Sequence, residues 1–89
     1  MEEVHVYVSG IVQGVGFRFT VLKHAELYNI KGYVQNLNDG RVEICAQGKP
    51  EKLHSFLHII KNHPGSATIS AMESKAKPIH ISYESFEMR

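Results

Sequence analysis

The hydrophobic period of this chain switches between two residues and three to four, and the order of the switches leaves few folds open. Val4, Val6, Val8 and Gly10 alternate with His5, Tyr7 and Ser9, the pattern of a strand with one buried face running from Val4 to Ile11. A glycine-containing stretch, residues 12–18, comes next. Phe17, Val21, Leu22, Ala25 and Tyr28 then recur at helical spacing, in a helix-like run that is established by about Phe19 and ends at Asn29. Asn29 tolerates the left-handed conformation that closes a helix, and Gly32 adds freedom just beyond it. A second strand is expected from Ile30 or Lys31 to Asn36, and Leu37-Asn38-Asp39-Gly40 supplies a hairpin turn through its Asp-Gly pair. The return strand, Arg41 to Gln47, places Val42, Ile44 and Ala46 on one face. Pro50 suits the first turn of a second helix, whose inner stripe is Leu53, Phe56, Leu57 and Ile60, and His63-Pro64-Gly65 stops it. Strand-like pieces remain at Ala67 to Lys75 and Ile81 to Met88.

The element order is therefore β-α-β-β-α-β with a short extra strand. It predicts an α+β, ferredoxin-like split β-α-β sandwich, an antiparallel sheet with both helices on one face. In this arrangement the first and third strands are the inner pair, flanked by the fourth and second, and right-handed crossovers put residues 12–18 at one end of the sheet. With 89 residues there is room for one domain, residues 1–89, because a second core would not fit. Such a fold hosts enzymes, regulatory modules and RNA binders alike, so function has to come from the site.

Val12-Gln13-Gly14-Val15-Gly16-Phe17-Arg18 is the stretch with chemistry in it. Its glycines free the backbone to adopt positive φ, so that successive N–H groups can turn toward one point. The helix that follows adds the positive end of its dipole. Arg18 brings a planar, permanently charged fork matched to two phosphate oxygens. A cation at a helix start is electrostatically disfavoured, which itself points to a bound anion. No Gly-Lys-[Ser/Thr] ends the loop and no Gly-x-Gly-x-x-Gly occurs, so neither a Walker loop nor a dinucleotide fingerprint is present. Taken singly, the loop, an arginine at a helix start and an asparagine at a strand end are ordinary features; their coincidence is what counts.

A second glycine-framed motif, Gly32-Tyr33-Val34-Gln35-Asn36 with Gly40, Val42 and Gly48, accompanies the first, which begins at Val8-Ser9-Gly10-Ile11. Together they resemble the acylphosphatase family over the whole chain, in motif order and in the separation between Arg18 and Asn36. That resemblance implies hydrolysis of a carboxyl-phosphate anhydride to a carboxylate and inorganic phosphate. It further implies that Arg18 binds the phosphate with the backbone N–H groups of Gln13, Gly14, Val15, Gly16, Phe17 and Arg18, and that Asn36 holds the attacking water. The chemistry is coherent, because a carboxylate leaves without a general acid and phosphoryl transfer needs mainly positioning and charge stabilisation. Asn36 can orient a water by accepting and donating, but it is too weak a base to take the proton, which is assigned to a substrate phosphate oxygen. No metal or other cofactor is called for. Departures from the family pattern are Leu37, where a small hydroxyl residue is common, and Asn29, in place of a glycine at that helix end; Phe19 and Tyr33 are aromatic choices the family tolerates.

Other reactive side chains are weaker candidates. His54 and His58 stand four apart on the second helix, off its apolar stripe and without a third ligand, so a solvated face is the better reading. Cys45 has no acidifying neighbour in sequence and reads as a structural thiol on the outer face of the sheet. Ser9 lies close to the loop without further support, His24 is expected to be exposed, and Asp39 shapes the turn, since a carboxylate beside a phosphate would repel it. The net charge of +1 and the absence of a basic stripe argue against nucleic acid as a partner. The third strand also lacks the aromatic pair of an RNA-stacking sheet. A non-catalytic phosphate sensor on the same fold is the rival that the loop alone leaves open. The chain starts directly in a strand, has a single cysteine and contains no membrane-length apolar run, so a cytoplasmic monomer that acts on a small acyl phosphate, away from membranes, is expected.

Overall fold

A computed structural model describes all 89 residues. The elements are β1 (Glu2–Ile11), α1 (Phe17–Leu27), β2 (Lys31–Asn36), β3 (Val42–Gly48), α2 (Pro50–Asn62), β4 (Thr68–Lys77) and β5 (Phe86–Met88). They form one five-stranded sheet in the order β4-β1-β3-β2-β5, so the inner pair and its flanks are those the element order predicts.

The sheet departs from expectation at its edge. β1, β2, β3 and β4 pair antiparallel, but β5 runs parallel to β2, so the sheet is mixed. The piece anticipated from Ile81 to Met88 forms a strand only at Phe86–Met88. The residues before it cross the outer face of the sheet, where Gln47 donates to the Ile81 carbonyl at 2.6 Å and accepts from the Tyr83 N–H at 3.0 Å. A buried side chain thus satisfies the backbone of an irregular segment, and that pairing replaces a ladder.

Registers follow from burial. Val6 lies opposite Ile44, Val8 opposite Val42 and Val34 opposite Ile44, which stacks the apolar residues of three strands on the helix-covered face. Phe17, Val21 and Ala25 of α1 and Leu53, Phe56 and Ile60 of α2 close over them in a single cluster of 15 buried residues. Leu57 and Tyr28 sit at its margin, only partly buried. At about 25 cal/mol per Å2 this apolar burial is the main stabilising contribution. Asn29 adopts φ 56°, as a helix-closing residue should. Gly32 is required by packing, because a Cβ there would lie 1.8 Å from the Cys45 carbonyl oxygen. No helix is long and apolar enough to cross a membrane.

Candidate active site

Residues 12–16 join the exit of β1 to the start of α1 at one end of the sheet. Gly14 and Gly16 both adopt φ 76°, and a Cβ at either would meet nothing within 4 Å. Glycine is needed here for conformation, then, and the space beside the backbone is open. The first helical bond of α1 runs from the Thr20 N–H to the Gly16 carbonyl at 3.1 Å. None of the backbone N–H groups from Gln13 to Arg18 donates to a group of the protein. Gly16 caps the helix in the left-handed conformation, without a side-chain cap and without an acidic residue in the first turn. Six consecutive donors and a helix N-terminus therefore lack an internal acceptor.

Gly14, Gly16, Phe17 and Arg18 line a cleft of about 200 Å3 together with Val12, Phe19 and Met88. Arg18 Nη1 donates to the Arg89 backbone oxygen at 2.5 Å, which holds the guanidinium at the cleft and leaves its remaining N–H groups available. Arg89 is itself placed by its N–H, which donates to the Val34 carbonyl at 2.9 Å, and by its guanidinium, 4.0 Å from the Tyr33 ring centroid. Nothing in the periodicity flags Arg89. Its role depends on β5 lying beside β2, a contact between distant parts of the chain.

Asn36 occupies the exposed C-terminal end of β2, opposite Val42. It does not line the same cleft, and neither do Gln13 and Val15. Gln13 instead links the two motifs: its Nε2 donates to the Leu37 carbonyl at 2.8 Å and to the Arg41 carbonyl at 3.0 Å. The side chain of the glycine loop thereby grips the turn immediately after Asn36. Sequence reasoning assigned Gln13 a backbone role only; the fold adds this clip. The turn is braced from within, since the Asp39 carboxylate accepts from the Arg41 N–H at 3.1 Å and from Arg41 Nε at 2.8 Å. Those bonds hold its pKa below the ordinary carboxylate range.

The remaining candidates lie elsewhere. Ser9 pairs with Ala71 beside a bulge in the β1–β4 ladder and does not line the cleft. His24 is half-buried rather than exposed, and its Nε2 lies 2.9 Å from the His63 carbonyl oxygen. His54 and His58 are exposed on α2 and border a larger hollow of about 510 Å3 between α2 and β4. Its size alone does not make that hollow the site. Cys45 is on the outer face as expected, yet it is 1% exposed. Burial, reinforced by the charges of Glu3 and Glu43, pushes its thiol up to about 12, which removes it as a nucleophile at neutral pH.

Comparison with known proteins gives a consistent result. The acylphosphatase family model matches residues 4–88. An acylphosphatase of Archaeoglobus fulgidus is 48% identical over 88 residues, covering 99% of this chain and 98% of the relative. The crystal structure of acylphosphatase from Bacillus subtilis superposes with a TM-score of 0.94 at 32% identity, over 100% of this chain and 99% of that one. The chain also superposes on 12% of T. kodakarensis HypF, with 100% of its own length, a TM-score of 0.90 and 33% identity.

Proposed function

The chain belongs to the acylphosphatase family of hydrolases, and from that premise we propose that Arg18 and the amides of residues 13–18 bind the phosphate of an acyl phosphate while Asn36 orients the attacking water. The observation that carries this assignment is the run of backbone N–H groups from Gln13 to Arg18, which have no acceptor in the protein. A phosphate supplies acceptors for several of them at once, and the helix dipole and the Arg18 fork favour its charge. Arg18 held by the Arg89 oxygen at 2.5 Å is preorganised, so little reorganisation is needed as charge shifts in the transition state.

The step is a displacement at phosphorus. Water oxygen bonds to phosphorus as the bond from phosphorus to the acyl oxygen breaks, and that electron pair leaves with the carboxylate. The water proton passes to a phosphate oxygen, giving one carboxylate and one dihydrogen phosphate from an acyl phosphate dianion. The Asn36 amide accepts from the water and fixes its line of approach. No residue needs to act as acid or base, because the leaving group departs as a stable anion. The proposed route uses no metal, so EDTA is expected to leave the hydrolytic rate unchanged, and inhibition by EDTA would count against it.

Acetyl phosphate hydrolysis tests the assignments. Arg18→Ala lowers kcat/KM by at least ~10²-fold, the scale of losing one transition-state donor. Arg18→Lys is also slow, because a point charge does not reproduce the fork. Asn36→Ala stays folded and still binds inorganic phosphate as a competitive inhibitor, but turns over slowly. Wild-type rates in the Arg18 variants, or lost phosphate binding with intact turnover in Asn36→Ala, would overturn the roles.

A further inference from the structure

The outer face of the sheet carries a second constellation of reactive side chains, far from the phosphate loop. Glu3 and His5 are two apart on β1, so both point to the face away from the helices. Cys45 on β3 is the direct cross-strand partner of His5. One ligand atom from each of the three lies within 4.8 Å of the others. The same residues line a hollow of about 90 Å3 with His80, Ile81 and Tyr83 of the segment that crosses this face. Strand rise separates His5 from Ile11 by about 20 Å, so this hollow is distinct from the cleft at Arg18.

Burial is the first sign that the cluster is more than an accident of composition. Glu3 is 8% exposed and Cys45 1%. An ionic side chain at such burial needs partners. Glu3 has them: it accepts from Gln47 Nε2 at 2.6 Å and lies 2.7 Å from His5 Nε2. The Cys45 thiol, in contrast, makes no hydrogen bond and no disulfide, although it faces the hollow that the other two line. A buried, unpartnered sulfur beside an imidazole and a carboxylate is a donor set of mixed softness, the kind zinc accepts.

We propose that Glu3, His5 and Cys45 form a zinc-class metal site on the outer face of the sheet, with His80 or a water in the fourth position. Bonds of about 2.0–2.3 Å in a tetrahedral site put ligand atoms roughly 3.3–3.7 Å apart, so side-chain rotations must bring the three groups inside their 4.8 Å spread while the 2.7 Å His5–Glu3 contact opens. Charge is balanced without outside help. Glutamate, thiolate and neutral imidazole offset the dication; the imidazole keeps its proton on the nitrogen that does not bind the metal, and the one displaced proton, from the thiol, goes to solvent. Lys75 and Lys77, opposite His5 and Glu3 on β4, are exposed and can swing into solvent, so they do not oppose the ion. His80 is exposed in the crossing segment, so its ligation would staple that segment to β1 and β3 in addition to the Gln47 bonds. The role is structural: the metal stabilises the folded state by mass action and takes no part in hydrolysis.

The test uses full-length protein stripped with a chelator and then titrated with Zn(II), with stoichiometry read by native mass spectrometry and affinity by calorimetry. Co(II) serves as the spectroscopic probe, because a thiolate ligand adds a sulfur-to-metal charge-transfer band. We expect one zinc per chain, a raised Tm on zinc addition and a cobalt thiolate band. Cys45→Ser, nearly isosteric, abolishes the band and weakens zinc at least tenfold. The double variant His54→Ala/His58→Ala changes neither. Should Cys45→Ser fail to fold, His5→Gln provides the second arm: it weakens zinc at least tenfold, and acetyl phosphate hydrolysis reports that the protein is folded. No zinc binding by the wild type, a cobalt complex without the thiolate band, or zinc binding that survives Cys45→Ser or His5→Gln and is lost with His54 and His58 overturns the proposal.

Discussion

Replacing Gln13 with alanine removes the side chain that ties the glycine loop to the turn after Asn36, and the structure sets the size of the effect. The amide makes two bonds, at 2.8 Å to the Leu37 carbonyl and 3.0 Å to the Arg41 carbonyl. Neither carbonyl is orphaned by the change. Leu37 oxygen still accepts from the Gly40 N–H at 3.2 Å, and Arg41 oxygen from the Leu37 N–H at 2.8 Å. The loss is therefore that of two ordinary bonds without a desolvation penalty, about 2 kcal/mol in all at roughly 1 kcal/mol each. If that energy keeps Asn36 in register with the loop, it appears in kcat, where about 2 kcal/mol corresponds to roughly 30-fold. On the proposed assignment inorganic phosphate binds through backbone amides and Arg18, so its inhibition constant for Gln13→Ala is expected to stay near the wild-type value. Gln13→Glu is expected to be worse than alanine, because a carboxylate would face two carbonyl oxygens beside the proposed phosphate site. Steady-state acetyl phosphate hydrolysis with phosphate as inhibitor separates the quantities. A variant with lowered Tm but wild-type kcat would refute the reasoning, since the clip would then stabilise the fold alone. Phosphate inhibition weakened in step with kcat/KM would refute it differently, by placing the side chain on the anion.

Glycine substitutions should divide by mechanism. Gly14→Ala meets open space at φ 76°, so its stability loss is that of a left-handed residue, about 1–2 kcal/mol, while Gly32→Ala drives a Cβ to within 1.8 Å of a ladder carbonyl and loses more; urea titration ranks them. Phe56→Ala empties a fully buried position that packs edge-on against Phe86 at 6.1 Å, and denaturation should show about 3–5 kcal/mol lost. Tyr33, pushed up to about 12 by burial and then by Glu43, keeps its proton in the folded state after the unfolded chain has lost it. Its contribution is thus fully present below the ordinary tyrosine value of 10.0 and is lost as pH rises from there through the folded value of about 12. Cys45 acts with the same sign, so the diagnostic is the difference between wild type and Tyr33→Phe. The variant should show a shallower alkaline loss of stability in urea titrations, and equal slopes would refute the Tyr33 assignment.

The elements were legible because their signals are local. Pro50 at the start of α2, Asn29 at the end of α1 and Asp39-Gly40 in the turn act through the φ of their own residues or bonds to near neighbours. The glycine loop was legible for the same reason, as was the strand alternation that sets the buried face. Errors gathered where a segment has no ladder of its own. Ile81 to Ser85 alternates well enough to look like strand, but its backbone is satisfied by Gln47, and β5 is confined to Phe86–Met88.

By itself, then, the sequence determined which stretches bend, coil and extend, and that a loop of free amides would lead into Arg18. What it left open is every relation between groups that the chain separates widely. Arg18 reaches the Arg89 oxygen across 71 positions, and Gln13 reaches Leu37 and Arg41 across 24 and 28. Cys45 meets His5 only because β3 lies beside β1 in that register. Local preference specifies dihedral angles, whereas these contacts depend on strand order, register and the burial that selects them. The glycine loop is thus a property of the sequence, and its connection to Asn36 and Arg89 is a property of the tertiary structure.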